Sequence, residues 1–361
     1  MLPGNKDIKL SAKLLRWYRT HHRNLPWRDT KDPYKIWISE IMLQQTTVNA
    51  VIPYYRKWMK LFPSIQILSQ APTPKVLKTW QGLGYYNRVK NLLKASRILV
   101  KDYSAKIPRD YTAVRNLPGF GPYTTAAVLS IAYNLPYPVI DGNVRRLLLR
   151  ITGLEVQADP KYDKILLKNL QPHLPSKNMG IFNQAMMELG ALVCTPRNPR
   201  CLLCPLPSFC QAFKTGKPEV IPQPKKTNTQ KIEAAVAIIQ NKKKFLIQKR
   251  PSQGLLADFW EFPGGKRKNN ETLLETVRRE VKEELHTDTQ EETFLTKVKH
   301  SYTQYQVTLY AYQCSLRNPP QISEKRHRWI TLKELRQYPL PSGSAKIVDF
   351  LERKSKIINS K

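Results

Sequence analysis

The sequence is poor in acidic residues and cysteine, and it lacks a long hydrophobic run. Its 361 residues include 27 Asp and Glu against 60 Lys and Arg, a formal net charge of +33. No apolar stretch reaches the roughly 18 residues of a membrane-spanning helix, and the first residues lack the apolar segment of a signal peptide. These absences argue against a membrane or secreted protein, and we expect a cytoplasmic monomer. The basic excess indicates a polyanionic partner, most simply nucleic acid.

Because we expect an intracellular protein, we expect no disulfides among its five cysteines. Four of them follow the spacing C-x6-C-x2-C-x5-C, at Cys194, Cys201, Cys204 and Cys210. Zinc sites usually combine two separate C-x-x-C pairs, whereas four thiolates also ligate Fe–S clusters. The single C-x-x-C pair favours the cluster and leaves zinc as the alternative. The fifth, Cys314, lies in a predicted strand, and we expect a buried free thiol.

The periodicity of apolar residues divides the chain into two regions. Residues 1–213 show helical periodicity interrupted by Pro and Gly, and residues 214–231 form a basic, Pro-rich linker. Residues 232–356 are strand-like around one strong helix. The predicted strands are 232–239, 244–249 and 302–312, and the predicted helices are 271–285 and 344–354. The pattern predicts a mainly α N-terminal region followed by an α/β domain.

A Gly-rich turn, L-P-G-F-G at residues 117–121, separates two short helical patterns within residues 110–133. Gly119 and Gly121 permit positive φ and a close approach to a partner. The second helix begins just beyond them, and its free N–H groups favour a phosphate. Asp141 follows 20 residues after Gly121. The alternative is an ordinary helical hairpin followed by a capping Asp.

Glu40 is a lone acid in an otherwise apolar helical segment, residues 26–48. Apolar surroundings disfavour the carboxylate, so the pKa of Glu40 should rise and the group can hold a proton near neutral pH. This property suits a general acid. The alternative is a Glu on the solvent side of an amphipathic helix.

These two segments together carry a resemblance to a known family. The L-P-G-F-G turn with Asp141 resembles the helix-hairpin-helix base-excision DNA glycosylases. The string PWRDTKDPYKIWISEIMLQQTTV at 26–48 is closer still to the MutY-type adenine glycosylases. The resemblance implies a [4Fe–4S] cluster on the four cysteines, in a loop at 194–210. It also implies a double-stranded DNA substrate with adenine opposite 8-oxoguanine or guanine, in a bacterial, nucleoid-associated enzyme.

The resemblance also assigns roles to four residues. Glu40 would protonate the flipped adenine and later activate water, while Asp141 would face the sugar as it becomes cationic. Asn143 resembles a residue that positions water and substrate, although a helix cap is the alternative. The related endonuclease III-type lyases have a Lys where this chain has Tyr123. A phenol is a poor substitute for an amine, and we therefore expect hydrolysis without Schiff-base strand cleavage.

Further positions match the family's contacts with DNA. Trp27 and Arg28 would line the adenine pocket. The residues expected to insert into the duplex or support insertion are Gln45, Thr46, Leu83, Gly84 and Tyr85. A flipped base leaves a gap that such side chains fill. For Tyr85 the alternative is a turn aromatic packed on the core.

The C-terminal region resembles a Nudix domain, with a G-x5-E-x7-R-E-x-x-E-E box beginning at Gly265. Its Glu280, Glu283 and Glu284 share one helix face, where they could hold Mg²⁺. His286 stands where the box has Gly, which should strain or remove the helix cap. Metal binding and nucleotide hydrolysis therefore stay open.

The stretch His-Ser-Tyr-Thr-Gln at residues 300–304 resembles the family's lesion-reading loop. Thr303 retains a hydroxyl that can accept from the N7 hydrogen of 8-oxoguanine, and Gln304 replaces a His. The alternative for Thr303 is a residue on a strand edge.

Three other functions remain as alternatives. They are an endonuclease III-like glycosylase and lyase, a Nudix nucleoside-triphosphate pyrophosphohydrolase with a DNA-binding appendage, and a catalytically silent DNA-binding protein.

Overall fold

The computed structural model describes residues 9–224, 229–251, 256–302 and 305–359. The chain forms two compact units. The first consists of Met1–Ala71 and Lys90–Lys226, and the second of Pro72–Val89 and Thr227–Lys361. The sequence gives no sign that Pro72–Val89, between helices of the N-terminal region, packs with the C-terminal residues. No helix in the described ranges is long and apolar enough to cross a membrane.

The N-terminal part of the chain is helical, as predicted. Its helices are α1 (Leu10–His21), α2 (Pro33–Leu43), α3 (Val48–Leu61), α4 (Ile65–Gln70), α5 (Thr73–Trp80), α6 (Asn87–Tyr103), α7 (Tyr111–Arg115), α8 (Pro122–Tyr133), α9 (Gly142–Thr152), α10 (Asp163–Leu170), α11 (Met179–Leu192) and α12 (Gln211–Lys214). Short 3₁₀ turns connect several of them.

Local sequence signals set where these helices begin. Asp32 caps α2 by accepting the Tyr34 N–H at 2.9 Å, directly before Pro33. Asp110 caps α7 by accepting the Ala113 N–H at 2.7 Å. Proline suits the first helical position because it has no N–H to leave unpaired. Such caps and prolines therefore determine the residue at which each of these helices begins.

The first unit contains a core in which α1, α9 and α11 meet. Its buried members include Leu14, Val144, Leu147, Phe182 and Leu189. Burial of each such side chain contributes about 1.5–3 kcal/mol relative to exposure. This packing holds the start of α9, and with it Asp141, against α11.

The second unit contains a mixed sheet flanked by helices. Its elements are β1 (Gln230–Asn241), β2 (Lys244–Lys249), β3 (Trp260–Glu261), β4 (Gly264–Lys266), α13 (Leu273–Leu285), β5 (Thr289–Tyr302), β6 (Tyr305–Leu316), β7 (His327–Thr331), α14 (Leu332–Leu335) and α15 (Ser342–Asn359). Among the described residues the strand order is β3-β2-β1-β6-β5, with β4 on β1 and β7 on β2. β1 and β6 are parallel, and the other pairs are antiparallel.

Alternating residues of β1 cover both faces of this sheet. Ala235, Ala237 and Ile239 pack with α13, and Val236 and Ile238 pack with α15. The predicted strand at 302–312 is wrong in its start, because β5 ends at Tyr302 and β6 begins at Tyr305. Cys314, on β6, is buried as expected.

Candidate active site

A cavity of about 740 Å³ in the first unit brings together eight of the residues predicted from sequence, including the four expected to take part in catalysis. Its walls come from the chain before α2, from α2 itself, from the start of α8, from the start of α9 and from α11. The lining residues predicted from sequence are Trp27, Arg28, Glu40, Gln45, Thr46, Tyr123, Asp141 and Asn143. The volume lies within the range of small-molecule sites and suits a nucleobase with its sugar.

Glu40 lies near the end of α2 and is 6% exposed. The Tyr123 hydroxyl, on α8, donates to Glu40 Oε2 at 2.6 Å. Burial raises the pKa of Glu40 to about 7, while the Tyr123 hydrogen bond opposes the rise and the charge of Asp141 adds to it. Glu40 therefore divides between its acid and carboxylate forms near neutral pH, as the apolar helix predicts.

Asp141 is both the N-cap of α9 and a wall of the cavity. Its Oδ1 accepts the Val144 N–H at 2.7 Å, and its Oδ2 accepts Asn143 Nδ2 at 3.3 Å. Burial raises the pKa of Asp141 above its ordinary value, whereas the donors from Val144 and Asn143 act in the opposite direction. The Asp141 side chain therefore caps α9 and lines the cavity at the same time, so the two interpretations of Asp141 do not exclude each other.

The cavity contains an ion-pair network that the sequence analysis missed. Glu188, on α11, accepts Arg23 Nε at 2.8 Å and Arg28 Nη2 at 2.8 Å. Burial alone would raise the pKa of Glu188, but the donors from Arg23 and the charge of Arg28 bring it below its ordinary value. Arg28 also donates to the Tyr18 hydroxyl. Partners so far apart along the chain carry no local sequence signal, and only the fold brings them together.

Both residues predicted to insert into DNA have left-handed backbones. Gln45, exposed beyond α2, has φ of 56°, and Tyr85 has φ of 48°. A non-glycine residue rarely adopts this conformation, and it is frequent at functional sites. Gly84 precedes Tyr85 with φ of 70°. Leu83 is only 5% exposed, so its side chain packs inside and is not available for the expected DNA contact.

The turn between α7 and α8 uses its two glycines differently. Gly119 has φ of 83°, and a Cβ there would lie 2.9 Å from Asn91 Cβ. Gly121 has φ of −72°, which corrects the expectation that both exploit positive φ. Gly121 is the N-cap of α8, and open space surrounds the position of its absent Cβ. Gly121 therefore allows a partner to approach the main chain closely, and its backbone conformation does not require glycine.

Helix α9 connects the cavity to the cysteines. Arg146 donates Nη2 to Asn143 Oδ1 at 3.0 Å and Nε to the Cys194 carbonyl at 2.8 Å. One turn later, Arg150 donates Nη1 to Cys194 Sγ at 3.2 Å. Helices α9 and α11 also approach closely, because a Cβ on Gly190 of α11 would lie 2.8 Å from Asn143 Cβ.

Cys194, Cys201, Cys204 and Cys210 line one small cavity, which Arg150 also lines. Among the described side chains, no three of His, Cys, Asp and Glu are positioned to hold a metal ion as they stand. The donor set nevertheless fits an Fe–S cluster, because four thiols surround a cavity whose other walls are mostly apolar. Burial raises the pKa of Cys204 to about 12, so a bound metal would be needed to make it a thiolate.

The box acids of the second unit are engaged with an arginine. Arg279 Nε lies 2.6 Å from Glu271, and its Nη1 lies 2.7 Å from Glu280 and 3.1 Å from Glu283. Glu284 accepts the Gly264 N–H at 2.9 Å, and burial raises its pKa to about 7.

Of the two outcomes expected for the cap after this helix, loss or strain, the structure has the second: the cap is present, but on a non-glycine residue with an unfavourable backbone conformation. His286 itself takes the left-handed conformation, with φ of 52°, and its N–H donates to the Lys282 carbonyl. Thr303 and Gln304 lie outside the described residues.

Comparison with known proteins identifies the family to which both parts of the chain are similar. Residues 38–172 match the HhH-GPD superfamily base excision DNA repair proteins, and residues 234–350 match the NUDIX domain. The adenine DNA glycosylase of Buchnera aphidicola subsp. Schizaphis graminum is 33% identical over 348 residues, 95% of this chain and 98% of the relative. The one from the Acyrthosiphon pisum subspecies is 41% identical over 268 residues, 73% of this chain and 76% of the relative.

A solved structure supports the fold of the helical part. A thermostable thymine-DNA glycosylase superposes with a TM-score of 0.51 at 29% identity, covering 57% of this chain and 95% of that one. The match to the Schizaphis graminum relative extends over nearly the whole length of both chains, and it overlaps both family matches. The chain therefore belongs to the adenine DNA glycosylase family.

Proposed function

We propose that this enzyme removes adenine paired with 8-oxoguanine or guanine in duplex DNA, by acid-assisted hydrolysis of the N-glycosidic bond. The observation that carries the proposal is the pair Glu40 and Asp141 in one cavity, with a pKa of about 7 for Glu40. Residues 1–213 would perform the excision, and residues 232–356 would read the opposite base. The linker between them is 214–231.

In the first step Glu40 donates its proton to the ring of a flipped adenine, at N7 by resemblance to the family. The C1′–N9 bond then breaks, and its electron pair leaves with the base. The Asp141 carboxylate faces the developing cation, and Asn143, which donates to Asp141, orients it. Water adds to C1′ while Glu40, now ionised, accepts its proton.

Tyr123 supports hydrolysis over lyase chemistry. Its hydroxyl donates to Glu40, and burial with the nearby carboxylates raises the pKa of Tyr123 well above its ordinary value. A neutral phenol in this position cannot form the Schiff base that an amine forms. We therefore propose a monofunctional glycosylase.

The base pocket is the part of the cavity around Trp27 and Arg28. Trp27 is 6% exposed, and its ring packs edge-on against the Tyr55 ring, with 5.2 Å between the ring centroids. Arg28 is held by Glu188. An aromatic wall with a fixed donor matches what a flipped base requires.

The remaining DNA contacts are proposals of the same kind. Gly119 and Gly121 let the hairpin approach a backbone phosphate. Gln45 and Tyr85 insert near the opposite base, supported by Thr46 and Gly84, while Thr303 and Gln304 read the lesion. The enzyme acts as a monomer. The high positive charge makes binding to the duplex salt-dependent.

We further propose that the four cysteines hold a [4Fe–4S] cluster. When bound, it would fix the fold of residues 194–210 and supply no step of the hydrolysis. Iron and sulfide analysis of the purified protein should give four of each per chain; zinc in their place would contradict the proposal.

A single-turnover assay on a duplex with one adenine opposite 8-oxoguanine tests the central proposal. Strand breaks should appear only after alkali, and borohydride should trap no adduct. Breaks without alkali would establish lyase chemistry, and absence of product would refute the glycosylase assignment.

A further inference from the structure

The turn that carries Tyr85 packs as part of the second unit. It follows α5 in the segment Pro72–Val89, which groups with the C-terminal residues. Residues 82–85 have the sequence Gly-Leu-Gly-Tyr, and Gly82, Gly84 and Tyr85 have φ of 105°, 70° and 48°. A left-handed backbone is unfavourable for a non-glycine residue and persists only where its surroundings hold it.

Hydrogen bonds fix the turn from within its own segment. The Trp80 indole N–H donates to the Gly84 carbonyl at 3.0 Å, and the Gly82 N–H donates to the Tyr86 hydroxyl at 3.2 Å. Arg88 Nη2 donates to the Gly84 carbonyl at 3.1 Å, and its guanidinium lies 5.3 Å from the Tyr85 ring centroid. Trp80 and Tyr86 therefore hold the main chain of the turn that presents Tyr85.

Two contacts tie this segment to the C-terminal residues of the same unit. The rings of Tyr86 and Phe259 lie 4.3 Å apart between centroids, and both residues are buried. Lys78 Nζ donates to the Tyr338 carbonyl at 3.0 Å and to Gln81 Oε1 at 2.6 Å. One contact is an aromatic pair and the other a charge-assisted hydrogen bond, both of which are geometrically specific.

We propose that Phe259 and the Tyr338 carbonyl are positioning groups for Tyr85, acting through Tyr86 and Lys78 to hold the 82–85 turn in its inserting conformation. The inference rests on the proposed insertion of Tyr85. It gives the C-terminal domain a second role, because the domain that reads the opposite base also supports the aromatic side chain that enters the duplex next to it.

The test uses full-length protein and a duplex with 2-aminopurine beside 8-oxoguanine on the strand opposite adenine. Insertion of an aromatic ring unstacks this probe, so a stopped-flow fluorescence step reports insertion separately from excision. The variants are Tyr86→Phe, Lys78→Met and Phe259→Leu, with Tyr85→Leu as the reference. Lys94→Met, which removes the same charge from an exposed position of α6, is the control.

We expect the positioning variants to reduce the fluorescence step and to slow single-turnover excision by about tenfold, as small misplacements do. Lys94→Met should retain the full step. Phe259→Leu added to Tyr85→Leu should cause no further loss, because both act through one side chain. Unfolding midpoints within about 3 °C of the parent exclude loss of fold. If Phe259→Leu fails to fold, Tyr86→Phe still tests the inference, because it removes only one hydroxyl group.

The outcomes distinguish the insertion of Tyr85 from its support by the C-terminal domain. If Tyr85→Leu leaves the fluorescence step unchanged, Tyr85 does not insert, and both proposals fall. If Tyr85→Leu abolishes the step but the three positioning variants keep it, the insertion proposal stands and the positioning inference is overturned. Additive losses in the double variant would also overturn the inference.

Discussion

The molecule contains two groups of carboxylates whose surroundings differ. In the first unit, Glu40 and Asp141 accept from neutral donors, Tyr123, Asn143 and a backbone N–H. In the second unit, Glu271, Glu280 and Glu283 surround the guanidinium of Arg279. Neutral donors orient a carboxyl group and still allow it to gain or lose a proton near neutral pH, whereas a neighbouring arginine favours the ionised form.

The same contrast applies to the arginines. In the cavity Arg28 is occupied by Glu188, and thus it does not lock Glu40 as a carboxylate. Within one cavity the fold therefore keeps the Arg28–Glu188 ion pair apart from Glu40, the proposed acid. The positions of acidic residues along the sequence do not show this difference.

The largest expected effect comes from Glu40→Gln. Gln keeps the shape but cannot donate a proton as an acid, and we expect single-turnover excision to fall by about 10³-fold while DNA binding persists. Glu283→Gln, which removes one box carboxylate, should change excision by less than about twofold. Equal losses in the two variants would break the distinction between the two groups.

Arg279→Met should act on stability instead of catalysis. It leaves three carboxylates without their shared cation, and because the Arg279 side chain is 19% exposed we expect a loss of about 2 kcal/mol in the unfolding free energy of the second unit. Arg278→Met, on the exposed side of the same helix, should leave the unfolding free energy almost unchanged, because solvent screens the ion pair of Arg278 with Glu292. Denaturant titration measures both, and an excision rate that falls with Arg279→Met would contradict a purely structural role.

The pH dependence of excision should reflect the pKa of about 7 for Glu40. Because the acid form is the active one, the single-turnover rate should fall about tenfold per pH unit above pH 7. At acidic pH the rate should fall again as Asp141 takes up a proton. Because the pKa of Asp141 is raised, this fall should begin at a pH above the ordinary pKa of an Asp side chain. The alkaline limb should be absent in Glu40→Gln; its survival there would assign it to another group.

Among the changes inside the cavity, Tyr123→Phe should have the smallest effect on the excision rate. Its hydroxyl lowers the pKa of Glu40 by donating to the carboxylate, so the variant should move the alkaline limb to higher pH. We expect the rate at neutral pH to change by about threefold to tenfold, since Glu40 remains the acid but is less well oriented. An unshifted pH profile would show that the 2.6 Å hydrogen bond does not set the pKa.

Of the cavity residues named from the sequence, two could be predicted from a local pattern, and the others were predicted from the resemblance to the family. Glu40 stands out as a lone acid in an apolar helix, and Asp141 follows a Gly-rich turn. Glu188 was missed because its partners Arg23 and Arg28 lie on another part of the chain. The grouping of Pro72–Val89 with the second unit was likewise unpredictable, since the periodicity of a helix such as α5 is the same in either unit.

Strand β5 was missed for a different reason, whereas the predictions at 232–239 and 244–249 agree with β1 and β2. β5 lies at the end of the sheet order and carries charged and polar residues through much of its length, TQEETFLTKVKHSY. Such an edge strand buries little, and its pattern of apolar residues is correspondingly weak. The buried strand β1, in contrast, is clearly predicted as a strand from its run of apolar residues.

The close approach at Gly190 has a genetic consequence. A single added methyl group there would displace Asn143 and the start of α9, where Asp141 lies, without replacing any side chain of the proposed active site. In a screen for raised spontaneous mutation, alleles at Gly190 should therefore be recovered as null alleles beside those at Glu40. Their protein should still accumulate, and the inherited defect would come from one helix shifted by a fraction of an ångström.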